Sequence, residues 1–349
     1  MNEPLHPLTL GETLDRTAQL YRSRFLVYFG IGVIPAGTVL VCAAGAFLFF
    51  AWVGSGAAAS VSPSTGRIIA GLFLGVLILF ALPVCVGATA LGWAALSHAA
   101  AQDFLGEPIT IRDAYKAAWK RRWRYTWLYA LAALIVAVAP VALFLVSGLV
   151  GDGLIAMANK AGFDAARVFV SVVMSLVLIG LAGSALWMLL RLSLVFPASV
   201  VEQLGAWTSV KRSSALSKGT RGSIFLLFVL GSALGWLLAL GFLVPVGILL
   251  ALVPGANNPQ HEQTMGTILV FAWYGLWFGV QALTKPVYGI ALTLFYFNQR
   301  IRKEGFDIEW MMLQAGMMPS PEMAVQPSPA EEMASLPAAD SQFPGVSQT

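Results

Sequence analysis

The chain has 349 residues, of which 58% are hydrophobic and 11% charged, with a mean hydropathy of +0.77. Ordinary globular domains carry about 25% charged residues, so this composition excludes a soluble fold and points to a membrane protein. The formal net charge of +4 does not point to nucleic acid, because the basic residues are grouped at the ends of apolar stretches instead of lining one surface.

Residues 1–27 precede the first apolar stretch and contain PLTLGETLDRTAQLYRSRF. Thr9 and Glu12 have capping-box spacing, in which hydroxyl and carboxylate satisfy free amides at a helix start. Leu10, Leu14, Thr17, Tyr21 and Phe25 then share one helical face, opposite Glu12, Asp15, Arg16, Gln19 and Arg22. An amphipathic helix of this kind is expected to lie in the membrane interface. The segment lacks the form of a cleavable signal, since acidic residues and a long span follow its start.

Two apolar stretches come next, about Tyr28 to Val53 and Ile68 to Leu96. Each meets the requirement of about 20 residues for crossing a hydrocarbon core of about 30 Å. Cys42 and Cys85 fall inside them and have no metal-binding or disulfide spacing. A second basic segment, TIRDAYKAAWKRRWR at Thr110 to Arg124, repeats the first design. Thr110 and Asp113 have the cap spacing, Ile111, Tyr115, Ala118 and Trp119 form the apolar face, and Arg112, Lys116, Lys120 and Arg124 project toward water or lipid phosphate.

The spans Trp127 to Val150 and Val168 to Phe196 follow, then a third basic segment, AWTSVKRSSALSKGTRG, without a cap and with a weaker apolar face. The last spans are Ile224 to Val253 and Thr267 to Phe297. All six are apolar throughout, unlike the alternating strands of a membrane barrel. From about Met317 the chain is rich in Pro, Ala and Ser and has no Lys or Arg, the composition of a disordered tail.

Sixteen of the 21 Lys and Arg residues lie in four segments, Arg16 to Arg24, Arg112 to Arg124, Lys211 to Arg221 and Arg300 to Lys303. The alternate connections hold only Arg67, Lys160 and Arg167. By the positive-inside pattern both termini are cytoplasmic. Pro35, Pro140 and Pro245, within VIPAG, VAPVA and LVPVG, stand at equal intervals of 105 residues. The expected fold is therefore all-α, with six transmembrane helices forming three parallel helical-hairpin repeats, each preceded by a cytoplasmic amphipathic helix. The repeats fall at about 8–105, 106–203 and 204–313, and residues 314–349 form a disordered cytoplasmic tail. The prolines kink their helices, and Gly71 with Gly75 or Gly231 with Gly235 has the spacing for close helix approach.

Lys285 is the residue that most suggests a site. It falls near the middle of the last span, before Pro286 and close to Gln281 and Thr284. A charge at that depth costs at least about 2.5 kcal/mol and belongs in a cavity, beside a partner or against a lipid headgroup. Arg191 lies closer to the end of its span and is expected to reach the interface, with Glu202 as a partner for it or for a basic segment. His6, His98 and His261 are far apart, and no nucleophile elbow, phosphate loop or metal spacing occurs. The paired acids Asp152 and Asp164, with Lys160 and Arg167 nearby, look like a solvated outer loop. Neither catalytic residues nor a cofactor is expected.

Four stretches together resemble the membrane domain associated with glycerophosphoryl diester phosphodiesterases, a group of multi-span bacterial membrane proteins. They are PLTLGETLDRTAQLYRSRF, TIRDAYKAAWKRRWR, FPASVVEQLGAWTSVKRSSALSKG and YFNQRIRKEGFDIEW. The likeness covers roughly residues 5–313, and Tyr296, Arg300, Arg302, Glu304, Gly305, Phe306, Asp307 and Glu309 stand in the expected order. Asn298 departs from it, since such proteins often carry an acidic residue there. The resemblance implies an integral membrane domain of the bacterial cytoplasmic membrane, not hydrolysis, because the soluble catalytic domain of those enzymes is absent from this sequence. The first expectation for function is a non-enzymatic scaffold or anchor. Its Arg112, Lys116, Lys120, Arg121, Arg122, Arg124, Lys211 and Arg212 would contact anionic phospholipid, with a protein partner on the cytoplasmic side. The alternative is a transporter or lipid-handling protein with a midplane site near Lys285.

Overall fold

The computed structural model describes residues 7–54, 68, 71–73, 75–161, 164–251, 259–314 and 317. No strand occurs among them. The helices are α1 (Leu10–Ser23), α2 (Phe25–Gly54), α3 (Leu82–Phe104), α4 (Ile111–Lys120), α5 (Arg122–Ala161), α6 (Asp164–Leu192), α7 (Val195–Val201), α8 (Ala206–Leu216), α9 (Arg221–Ala251), α10 (Pro259–Glu304) and α11 (Phe306–Gln314). A π-helical turn, Leu77–Ala81, leads into α3.

Five stretches are long and apolar enough to cross a membrane: Phe25–Phe49, Leu79–Phe104, Arg122–Gly148, Val168–Val201 and Arg221–Leu249. The chain is thus an all-α membrane protein. The second stretch runs past the predicted Leu96, because the small residues Ala99, Ala100 and Ala101 continue the helix in a buried setting that hydropathy alone does not reveal. The predicted sixth stretch lies within α10, whose 46 residues extend about 69 Å at 1.5 Å per residue. The predicted outer-loop side chains Arg67, Asp152, Lys160, Asp164 and Arg167, and the tail from residue 318 onward, lie outside the described residues.

The order of a short helix followed by two long ones occurs three times. The starts follow the predicted chemistry. Thr9 and Glu12 form the full capping box, the Thr110 hydroxyl accepts from the Asp113 amide at 3.1 Å, and Gly205 opens α8 without a side-chain cap. Arg24 and Arg121 break the chain between short and long helix in nearly the same backbone conformation, φ −129° ψ 39° and φ −125° ψ 33°. The third junction is a longer turn containing Gly219 at φ +80°, a left-handed geometry that glycine adopts without steric cost.

Helix α3 is the centre of the molecule, packed on α2, α4, α5, α7 and α10. Its inward positions are small, Ala90, Gly92, Ala94, Ala95, Ala99 and Ala100, which lets neighbouring backbones approach closely as membrane helices require. Tyr28, Ile31, Ile290 and Leu294 fill the resulting core. The hairpin α5–α6 is held to the rest chiefly through α3 and α8, with only limited packing of α6 on α9. That separation leaves a gap between α5 and the α9–α10 pair, and the gap holds the cavity described next.

Candidate functional site

The cavity has a volume of about 540 Å³ and is bordered by α3, α5, α6, α7, α9 and α10. Its walls are largely aromatic. Tyr129, Phe196, Trp93, Tyr288 and Phe228 follow one another with ring centroids 6.2–6.3 Å apart, linking α5, α7, α3, α10 and α9 in one belt. Trp236, Trp273 and Trp277 line the region beyond it. Helix α10 supplies the polar stripe. Gln281, Thr284, Lys285 and Tyr288 all border the cavity, as spacings of three and four residues demand for one helical face.

The three predicted site residues are therefore brought together. Thr284 returns its hydroxyl to the Val280 carbonyl at 2.8 Å. Among the described residues, Lys285 and Gln281 have no hydrogen-bond or ion-pair partner. Lys285 is the sole charged residue among the described residues lining the cavity. The Tyr288 hydroxyl is buried and unpartnered among the described residues, a state that costs about 1–3 kcal/mol when nothing occupies the site.

Lys285 also borders a second space of about 20 Å³, with Gly32, Pro35, Thr89 and Gly92, room for about one water. Pro35 lies ten residues into α2 and Gly92 twelve from the end of α3. Those positions are about 15–18 Å from the helix ends, half of a hydrocarbon core of about 30 Å. Lys285 thus borders residues well inside α2 and α3.

The prolines inside α2 and α10 have specific neighbours. A Cβ added to Gly92 would meet the Pro35 ring at 2.7 Å, and one added to Gly32 would meet the Ala282 carbonyl at 2.6 Å and the Pro286 ring at 2.9 Å. Pro286 removes the amide that would have bonded Ala282 O, and Gly32 lets α2 close over that oxygen. Pro35 likewise frees Ile31 O, and the Tyr115 hydroxyl donates to it at 2.8 Å. Burial pushes the Tyr115 phenol well above its ordinary range, so it remains a donor. Tyr21 donates to Leu283 O at 3.1 Å, beside the Pro286 kink. A Cβ added to Gly231 would meet Tyr288 at 3.5 Å and one added to Gly235 would meet Thr284 and Val280 at 3.8 Å, the close approach predicted for them, whereas one added to Gly71 or Gly75 meets nothing within 4 Å among the described residues.

At the end carrying Arg24, Arg121, Arg221 and Arg300, an ionic cluster joins distant segments. Arg212 makes a two-pronged contact with Glu202 at 2.8–3.0 Å and pairs with Glu304 at 2.6 Å. Arg300 lies 3.3 Å from Glu304 and 3.6 Å from Glu202, and Tyr296 donates to Glu202. Burial pushes the Glu202 carboxyl up, but the hydrogen bonds from Arg212 and Tyr296 and the charges of Arg212 and Arg300 outweigh it and hold it low. Sequence left the partner of Glu202 open between Arg191 and a basic segment; Arg191 instead donates to Ser214 at 2.9 Å. Lys303 donates to Leu216 O at 2.8 Å and Lys218 O at 3.0 Å, closing the end of α8. Asn298 accepts from Leu8 N at 3.0 Å and donates to Leu8 O at 2.8 Å, a pairing that a carboxylate cannot complete.

The predicted lipid-contacting residues divide. Arg112, Lys116, Lys120, Arg121, Arg122 and Lys211 are exposed. Arg124 instead caps α7, donating to Gln203 O at 2.8 Å and Ser199 O at 3.2 Å, and Arg212 belongs to the ionic cluster. Sequence reasoning missed the Tyr115 and Asn298 contacts, and no local signal marks them because each partner is more than 80 residues away. His98 is half-buried in α3, while His6 and the side chain of His261 lie outside the described residues. The Cys42 and Cys85 thiols are free and half-buried. No group of three or more His, Cys, Asp or Glu side chains suited to a metal occurs among the described residues. Comparison with protein-family models, with curated proteins and with solved structures finds no match.

Proposed function

We propose that this chain is a non-enzymatic lipid-handling or transport protein of the bacterial cytoplasmic membrane, acting on an anionic amphiphile at Lys285. One observation carries the reading: a lysine without a partner among the described residues, inside a long apolar stretch of sequence and on the wall of an aromatic cavity of about 540 Å³. A charge placed there at a cost of at least about 2.5 kcal/mol is offset when an anion binds beside it. The cavity size falls within the range of about 300–1,000 Å³ typical of small-molecule sites. The accompanying architecture is six spans in three parallel repeats with both termini cytoplasmic. Its support is the equal proline spacing, the three short–long–long helix sets and the basic residues grouped at one end.

The resemblance to the membrane domain of glycerophosphoryl diester phosphodiesterases is kept as a proposal of kinship. Two of its motifs meet physically, since Glu202 and Arg212 of one contact Tyr296, Arg300 and Glu304 of the other. That contact is a physical reason for such motifs to occur together.

The test is native mass spectrometry of the protein extracted with its own lipids. Wild type is expected to retain a defined anionic lipid or anion that Lys285→Met loses. Identical spectra for the two proteins would remove Lys285 from the function.

The second reading, a scaffold or anchor on anionic lipid, is favoured by a different observation. Trp119, Trp123 and Trp127 are 57%, 77% and 66% exposed and recur every four residues among the exposed Lys116, Lys120, Arg121 and Arg122. Tryptophan and basic side chains in this mixture suit a headgroup region. Neutral replacements of these four basic residues are then expected to weaken association with anionic vesicles, and unchanged association would end this reading.

A further inference from the structure

We infer that the Lys285 cavity takes a single-chain amphiphile with a monoanionic headgroup, a long-chain carboxylate, seated with its head at Lys285 and Gln281 and its tail along Trp277 and Trp273. The inference rests on the reading of this cavity as a lipid-handling site and names the class of its ligand.

The head position follows from the polar stripe. Lys285 supplies the sole charge among the described lining residues, enough to match one negative charge and not two. Gln281 lies one turn away on the same face and has free amide hydrogens among the described residues. An ammonium and an amide on adjacent turns present donors to the two oxygens of a carboxylate.

The tail direction follows from polarity along α10. From Lys285 away from the basic end, the lining residues become Trp277 and Trp273 on α10 and Trp236 and Ala239 on α9. The separation of twelve positions between Trp273 and Lys285 spans about 18 Å along the helix. One acyl chain spans about half the hydrocarbon core, about 15 Å. A cavity of about 540 Å³ holds one such chain; two chains side by side double the apolar bulk. The gap between α5 and the α9–α10 pair, which scarcely pack on each other, lets the chain pass in sideways from the membrane. The ligand then has the orientation of a lipid of the basic-side leaflet, displaced toward the far side by half the membrane.

The experiment uses the full-length protein in neutral detergent and stearic acid carrying a photoreactive diazirine near the end of its chain. Labelling is expected at one ligand per protein, on the segments around Trp236, Trp273 and Trp277. Excess stearate abolishes it, and uncharged monostearoylglycerol competes at least about tenfold more weakly, the loss expected of one charge-assisted hydrogen bond. Lys285→Met is expected to lower occupancy to the same degree and Lys285→Arg to preserve it. Ser232→Phe keeps the charge and fills the cavity, so it also blocks labelling and guards against misfolding of the methionine variant.

If a two-chain phosphatidate displaces the probe as well as stearate does, the single-chain inference is overturned while the lipid-handling reading stands. Equal competition by monostearoylglycerol overturns the role given to the headgroup charge. Retention of inorganic phosphate with no labelling by the fatty acid makes the ligand a free anion and overturns the inference. Labels scattered over the outer helix faces and unchanged in both variants overturn both readings.

Discussion

Removing the Tyr115 hydroxyl tests how the short helix α4 is fastened to the proline-containing span α2. Tyr115 on α4 donates at 2.8 Å to Ile31 O on α2, the carbonyl deprived of its helical partner by Pro35. Side-chain hydrogen bonds inside membrane proteins average about 0.6 kcal/mol and reach about 1.7, whereas a buried acceptor left without any donor costs about 1–3 kcal/mol. Ile31 is 1% exposed and Tyr115 is half-buried beside it, so the carbonyl is shut off from bulk water and the larger penalty applies. Tyr115→Phe is expected to destabilise the fold by about 1–2 kcal/mol. Pro35→Ala returns an amide hydrogen to Ile31 O, at its own cost because the proline ring sits against Gly92. In that background Tyr115→Phe is expected to cost less than about 0.5 kcal/mol, giving a coupling of about 1 kcal/mol in a double-mutant cycle. The assay is equilibrium unfolding of the four proteins in mixed detergent micelles. Equal losses for Tyr115→Phe in both backgrounds would refute the assignment, because the hydroxyl would then be acting on something other than the proline-freed carbonyl.

Three further outcomes are expected. The Glu202 carboxyl is held below its ordinary value of 4.5 in the folded state, so its ionic cluster contributes fully above that pH. The contribution fades as pH falls from about 4.5 through the lower folded value. Glu202→Gln should flatten this acid limb in a stability–pH series, and an unaltered limb would exclude Glu202 as its source. Asn298→Asp keeps an acceptor for Leu8 N but loses the donor to Leu8 O, leaving Arg302 as the donor there. Hydrogen exchange should quicken at the start of α1 by a few-fold, matching a loss of about 0.5–1 kcal/mol, and unchanged protection counts against the pairing. Gly289→Ala places a methyl group against Leu96 and Trp93, an overpacking worth about 1–3 kcal/mol. Leu96→Ala should relieve it, and a loss that persists in the double variant would locate the strain elsewhere.

Local chemistry decided much of this protein before any folding. Apolar length produced the spans, and the threonines at 9 and 110 with acids three residues on produced the helix starts, because these effects act within one or two turns. The even spacing of Pro35, Pro140 and Pro245 raised the expectation of three similar units, and Lys285 that of a polar feature inside the last apolar stretch. Tertiary structure decided which basic residues remain free, since Arg124 and Arg212 resemble their neighbours in sequence and differ only in what lies across from them. It also joined Tyr115 to Ile31 and Glu202 to Arg300 over long separations. It placed Lys285 on a cavity wall, where helix packing left α5 apart from α9 and α10. A hydropathy pattern reports how each segment meets the membrane, but a gap between helices belongs to no segment and arises only when side chains of different spans compete for the same space.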